Sequence, residues 1–321
     1  MRNRLPGLLV LVHLLTGPLL AQEAKFDGVS AKRETVGPLE DAGRSRPIWI
    51  DPEGNPLPFA SDAEVVDFLA TARVVDRRRV GTGVTDPEKL LLERDGIRAH
   101  AIFHDVDVEK TRLRLRGKVV MFFRDSYANN VAAYELSRLL GITNVPPAVV
   151  RKLDSTKGSV QMWLEEATSE VERRQRGINP PGSWRLAGEE MWVFDNLINN
   201  IDRTQENFVF DSQWNLWYID HTRAFGRNRQ LPSPERVKRC SRRLLQALQE
   251  LDEAEVRRVL QPYLGTPEIT GLLHRRRQLL TLIGEKIAEQ GEGRVLFSYG
   301  DTPAPVVVPT EDAEIPETQQ P

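Results

Sequence analysis

The stretch that most constrains this chain runs from Met191 to Gly226, MWVFDNLINNIDRTQENFVFDSQWNLWYIDHTRAFG. Met191, Phe194, Leu197, Ile198 and Ile201 recur at helical spacing, so one face of a helix is buried. The helix gives way to a polar turn, Asn199 to Arg203, with Asn207 shortly after. Phe208-Val209-Phe210 and Leu216-Trp217-Tyr218-Ile219 then flank the turn residues Asp211 to Asn215, the pattern of a short β-hairpin. A hairpin returns its second strand to where the first began. Asp220, at the end of that strand, is therefore expected beside Asn207 and Asp202.

Two carboxylates and a carboxamide at one point suit phosphoryl transfer. One carboxylate orients the proton of an attacking hydroxyl, while the amide oxygen and the other carboxylate hold Mg²⁺ or Mn²⁺ against nucleotide phosphates. Asp202 and Asn207 have the Asp-x-x-x-x-Asn spacing of a protein-kinase catalytic loop, and Asp220 stands where the Asp of D-F-G would be. Capping of the two turns by the same residues is the alternative that needs no chemistry.

The segment resembles the catalytic centre of atypical kinases: the secretory-pathway four-jointed type, the HipA type and the phosphatidylinositol-kinase-like bacterial proteins. These carry F-D-x-L-I-x-N-x-D-R-x-x-x-N followed by I-D-H/N-x-x-A-F. Here Phe194 to Arg203 reads FDNLINNIDR, Asn207 follows, and Ile219 to Phe225 reads IDHTRAF. A second string, NVAAYELSRLLGITNVPP from Asn130 to Pro147, is similar to the family's E-I/V-A-A-Y/F-x-L-x-R-L-L-x-V-P-P. Its helix, Asn129 to Leu140, would play the part of the kinase αC helix. The resemblance implies an α+β, two-lobed protein-kinase-like fold. A small antiparallel-sheet lobe with one helix would span 63–164, and a mostly helical C-terminal lobe 165–298. It also implies ATP with Mg²⁺ or Mn²⁺, Asp202 as the catalytic residue, and Asn207 and Asp220 on the metal.

Two positions depart from that family. Its A-x-F-K string, whose Lys binds the α- and β-phosphates, reads Ala101-Ile102-Phe103-His104, and the Glu that pairs with this Lys is replaced by Asn130. A histidine with an ordinary pKa is mostly neutral at pH 7. His104 still has one hydrogen bond to give a phosphate, and Asn130 would orient its ring. Gly81 and Gly83, in Gly81-Thr82-Gly83, offer backbone N–H groups to phosphates, with an ordinary strand-joining turn as the alternative. His100 and His104 share one face of a strand, as a metal pair would, but no third ligand stands out.

Around this centre the chain reads as follows. Arg2 and Arg4, the apolar run Leu8 to Leu15, and small residues up to Ala21 form a secretory signal peptide, 1–21. An extended leader or arm spans 22–62, and 299–321, rich in Pro and acid, reads as a disordered tail. Ser61 with Glu64 starts a helix. Leu90 to Phe103 forms a hairpin around Asp95-Gly96, with Val119 to Phe123 as a third strand of the same sheet. Ala148 to Val150 and Ser159 to Leu164 are strands, and Glu170 to Gly188 is polar and loop-rich. Helix starts are expected at Ser233-Pro234, Asp252 and Thr266-Pro267. Arg275-Arg276-Arg277 reads as a solvated face, and Cys240 as a helix residue without chemistry.

The formal charge of −2 becomes about −4 once the two signal-peptide arginines are removed, which gives no footprint for nucleic acid. A single cysteine excludes an intramolecular disulfide. The expectation is a secreted or periplasmic protein without stable membrane insertion after signal cleavage. It would move the ATP γ-phosphate to a protein or glycan hydroxyl. A pseudokinase-type binding module, weak or inactive in catalysis, is the alternative that His104 and Asn130 raise.

Overall fold

The computed structural model describes residues 48–81, 86–115, 117–180 and 184–299. The expected signal peptide, most of the leader, Gly83 and the tail from residue 300 lie outside them. No helix among the described residues is long and apolar enough to cross a membrane.

Helix α1 (Asp62–Thr71) starts where Ser61 accepts a hydrogen bond from the Glu64 N–H, and buries Val65, Phe68 and Leu69. Strands β1 (Arg73–Arg79), β2 (Glu88–Arg94) and β3 (Ile97–His104) follow in antiparallel order. The β2–β3 turn is Asp95-Gly96, both at positive φ. Strands β4 (Asp107–Leu115) and β5 (Lys118–Ser126) form a separate two-stranded ribbon that leads into α2 (Tyr127–Leu139). Strands β6 (Ala148–Leu153) and β7 (Thr156–Met162) complete a five-stranded sheet in the order β1-β2-β3-β7-β6. Val119 to Phe123 thus lies in the ribbon and not, as expected, in the main sheet. The place beside β3 takes a buried strand, which β7 is from Gly158 to Met162, whereas Val119, Met121 and Phe122 stay exposed opposite the charged β4.

The sheet has two distinct faces. Leu90, Leu92, Ala99, Ala101, Phe103, Val160 and Met162 form a core under α1 and Trp49. On the other face, cross-strand partners put Lys89 and Gln161 on either side of Ile102, Leu91 beside His100, and His104 beside Ser159. Helix α2 packs against β6 and β7. Gly158 permits the close approach of β7 to β3, because a methyl there would overlap the His104 carbonyl oxygen and the Phe103 ring. Gly158→Ala is expected to lower stability by about 1–3 kcal/mol through this overpacking. An unchanged denaturant midpoint would show that the strands separate without cost.

The second lobe contains β8 (Thr168–Ser169), α3 (Glu170–Gln175), α4 (Trp184–Ile198), β9 (Phe208–Phe210), β10 (Leu216–Tyr218), β11 (Cys240–Ser241), α5 (Arg242–Glu250), α6 (Glu253–Leu260), α7 (Thr266–Gln290), α8 (Glu292–Val295) and β12 (Leu296–Phe297). Met191, Phe194, Leu197 and Ile198 of α4 pack with the hairpin residues Phe210, Leu216 and Tyr218 and with Leu272, Leu273 and Leu279 of α7. Helix α3 lies in the stretch expected to be loop-rich; a full capping box between Ser169 and Glu172 starts it. Ser233-Pro234 opens only one 3₁₀ turn, Pro234–Arg236, and the helix begins instead after Ser241, whose hydroxyl caps α5. Cys240 sits on β11, and burial pushes its thiol pKa up, which leaves it unreactive.

Arg275 is fully buried rather than solvated. Its Nε donates to the Leu197 carbonyl at 2.8 Å and its Nη1 to the Gly226 carbonyl at 3.0 Å and to that of Asn228. Burial pushes its pKa down to about 9. Helix α7 is thereby tied to the end of α4 and to the chain just beyond Phe225.

Candidate active site at the hairpin mouth

Helix α4 ends at Ile198, and Asn199 turns the chain at φ 53°. Strands β9 and β10 pair with Phe208 opposite Tyr218, so Asn207 and Ile219 leave the hairpin side by side. Arg203 joins them. Its Nη1 donates to the Asn207 carbonyl at 3.0 Å and to the Ile219 carbonyl at 2.8 Å. Two carbonyls on one nitrogen lie within twice a hydrogen-bond length of each other. Asn207 and Asp220, the residue after Ile219, are thus fixed at one end of the loop system. Nε and Nη2 of the same guanidinium grip the Asp195 carboxylate at 2.8 and 2.9 Å, with both side chains buried. Asp195 also accepts from Asn200 Nδ2, and Asn200 Oδ1 accepts from the Asp202 N–H.

Asn207 Nδ2 points at the Asp202 carbonyl, 3.4 Å away, which turns its amide oxygen the other way. Asp220 adopts φ 56° and is exposed; its Oδ1 accepts from the Thr222 hydroxyl at 3.2 Å. Asp202 is held differently. Its Oδ2 accepts from Arg223 Nη1 at 2.6 Å, while Arg223 Nε donates to the buried Asp125 Oδ2 at 2.7 Å. Among the described residues, no three His, Cys, Asp or Glu side chains converge as a closed metal cage. His100 bonds Glu165 through Nδ1, and Lys89 reaches the same carboxylate.

The N-terminus of α2 is stitched to the Asp220 loop. The Ser126 N–H donates to the Thr222 carbonyl at 2.9 Å, and Asn129 Nδ2 donates to the carbonyls of Thr222 and Ala224 at 2.7 and 3.0 Å. Asn130 Oδ1 accepts from the His221 N–H at 2.9 Å. Asn130 therefore holds the Asp220 loop, not the His104 ring. His104 ends β3 in a buried position, with no hydrogen-bond partner for Nδ1 among the described residues. Asn130 Nδ2, Asp125 Oδ1 and His221 Nδ1 are likewise buried and unpartnered. Gly81 lies in the β1–β2 connection at φ 69°, and a Cβ there would meet no atom of the described residues within 4 Å.

His221 accepts from Arg203 through Nε2 at 3.3 Å and packs edge-on against Phe194. Burial, and then the Arg203 charge, push its pKa well below 6.5. Burial also pushes His104 down, against the pull of Asp220, Asp125 and Asp105. In the unfolded chain both rings take up a proton near pH 6.5. Below that pH the unfolded state binds more protons than the folded one, so stability falls as the pH drops through about 6.5. Melting temperatures from about pH 7.5 to 5 should decline, and His221→Gln should flatten the decline. A variant with the wild-type slope would contradict this assignment.

Asp202, Asn207, Asp220, His104 and Asn130 thus gather around the hairpin mouth and the α2 N-terminus; Gly83 lies outside the described residues. Asp195 and Arg203 stand in the F-D and D-R parts of the family string without an assigned role, and nothing local singles out Asn129, Asp125 or Arg223 as site residues.

No protein-family model matches this sequence, and neither does any curated protein. Solved structures of similar fold include a Fam20 protein from hydra with a sugar, at TM-score 0.55 and 15% identity over 74% of this chain and 93% of that one. The Golgi casein kinase with Mn/ADP bound aligns at TM-score 0.53 and 15% identity, over 74% of this chain and 78% of that one. A second structure of the Golgi casein kinase gives 0.55 and 15%, over 75% and 79%. The chain has a two-lobed, protein-kinase-like fold.

Proposed function

We propose that this chain is an exported phosphotransferase that moves the γ-phosphate of ATP to a hydroxyl of a protein or glycan. The observation that carries the reading is the arrangement of Asp202, Asn207 and Asp220 around the Arg203 brace. Asp202 orients the proton of the acceptor hydroxyl. Its pairing with Arg223 fixes the carboxylate in place for that role. The exposed Asp220 carboxylate and the outward amide oxygen of Asn207 form a donor set suited to Mg²⁺ or Mn²⁺, which would supply charge neutralisation at the phosphates. The unpartnered buried atoms of His104 and Asn130 fit a polar ligand between the lobes. The Golgi casein kinase bound Mn/ADP and the hydra Fam20 protein a sugar, which supports the cofactor and acceptor classes. Export rests on the N-terminal sequence.

Calorimetric titration of the mature protein with ATP and Mn²⁺ tests the reading. Saturable binding that needs the metal is expected. The absence of any heat would leave a binding module without nucleotide, the reading that His104 in place of lysine favours.

A further inference from the structure

Resting on that reading, we infer that Arg223 supplies the phosphate-binding cation that β3 lacks, with Asp125 as its acid partner. A kinase site of this kind needs a permanent positive charge against the α- and β-phosphates, tied by an acid to the helix beside it. His104 ends the strand where a lysine would stand, and an imidazole of ordinary pKa carries no permanent charge at neutral pH. Asn130 is no acid, and its Oδ1 is bonded to the His221 N–H, so it supplies no counter-charge for a cation on β3.

The ion pair is present but displaced. Arg223, three residues after Asp220, meets Asp125 at 2.7 Å, and Asp125 directly precedes Ser126, the N-cap of α2. The tie between helix and site therefore runs from the metal-side loop to the residue before the helix, in place of strand to helix. Arg203 cannot serve as the cation, because Nε, Nη1 and Nη2 are all engaged within the protein. Arg223 uses Nε for Asp125 and Nη1 for Asp202, and its side chain keeps 18% exposure. Guanidinium suits this place: its planar fork holds two acids and still offers a donor edge.

Calorimetry with Mn²⁺-ATP and, separately, adenosine tests the assignment. Arg223→Met should weaken ATP binding by about 10- to 100-fold and leave adenosine within about two-fold, since only phosphate affinity depends on the cation. His104→Lys in the same chain should recover most of the loss by restoring charge on β3. Arg223→Met leaves Asp125 buried and unpaired, so Asp125→Asn with Arg223→Met is run beside it as the variant that keeps its fold. Equal loss of ATP and adenosine affinity, or no recovery with His104→Lys, would overturn the inference while the kinase reading stands. A wild type that binds no nucleotide would overturn both.

Discussion

Asp220→Ala is expected to abolish metal-dependent nucleotide binding, whereas Asp202→Ala should leave binding within a few-fold and lower turnover by about 10²–10⁴-fold. The two acids differ in surroundings as much as in role. Asp220 is exposed and accepts a hydrogen bond from Thr222 within its own loop, so its loss should cost only about 1 kcal/mol, chiefly the strain of alanine at φ 56°. Failure to bind could then not be ascribed to unfolding. Asp202 is partly buried and ion-paired. Its removal leaves Arg223 still held by Asp125, so the loop should keep its shape. Chelating the metal from the wild type should reproduce the Asp220→Ala phenotype and not that of Asp202→Ala. Wild-type binding and turnover in both variants would show that the catalytic roles belong to other residues.

The parts of this site legible in the sequence are those fixed by short-range pattern. Helical spacing from Met191 to Ile198 and the two apolar triplets around Asp211 to Asn215 led to the α4–hairpin unit, and through it to the proximity of Asn207 and Asp220. What escaped is long-range. Asp125 and Arg223 lie 98 positions apart, and Asn129 meets the Thr222 carbonyl across 93. No local period encodes such pairs. Arg275 was misjudged for a different reason. Three consecutive residues on a helix point about 100° apart, so Arg275, Arg276 and Arg277 cannot share one solvated face. The first turns into the core and caps the end of α4; Arg277 stays outside, paired with Glu253.

The missing lysine–glutamate pair has the same lesson at the level of mechanism. Motif substitution at His104 and Asn130 suggested that the charged tether to α2 had gone. In the folded chain that helix is held to the Asp220 loop by four backbone or amide hydrogen bonds and by the Arg223–Asp125 pair. A helix pinned this way has little freedom to swing outward, so the site should be assembled before nucleotide arrives.

Arg203→Met should be the most destabilising single change near the site, at about 3–5 kcal/mol, because it leaves the Asp195 carboxylate buried without a counter-charge. For a domain of this size that corresponds to a fall in melting temperature on the order of 10 °C. Asp195→Leu should cost a similar amount by stranding the guanidinium. Combining the two removes the charges together, so the double variant should be more stable than the sum of single effects predicts, by about 1–3 kcal/mol of coupling. Recovery should stop there. Arg203 also feeds the carbonyls of Asn207 and Ile219 and the His221 ring, and none of these regains a donor in the double variant. Stability should therefore return in part while nucleotide binding does not, since the brace between Asn207 and Asp220 is gone. A coupling near zero in denaturant unfolding would show that the Arg203–Asp195 pair is not the keystone of the loop. Full binding by the double variant would show that the hairpin alone fixes the two ligands.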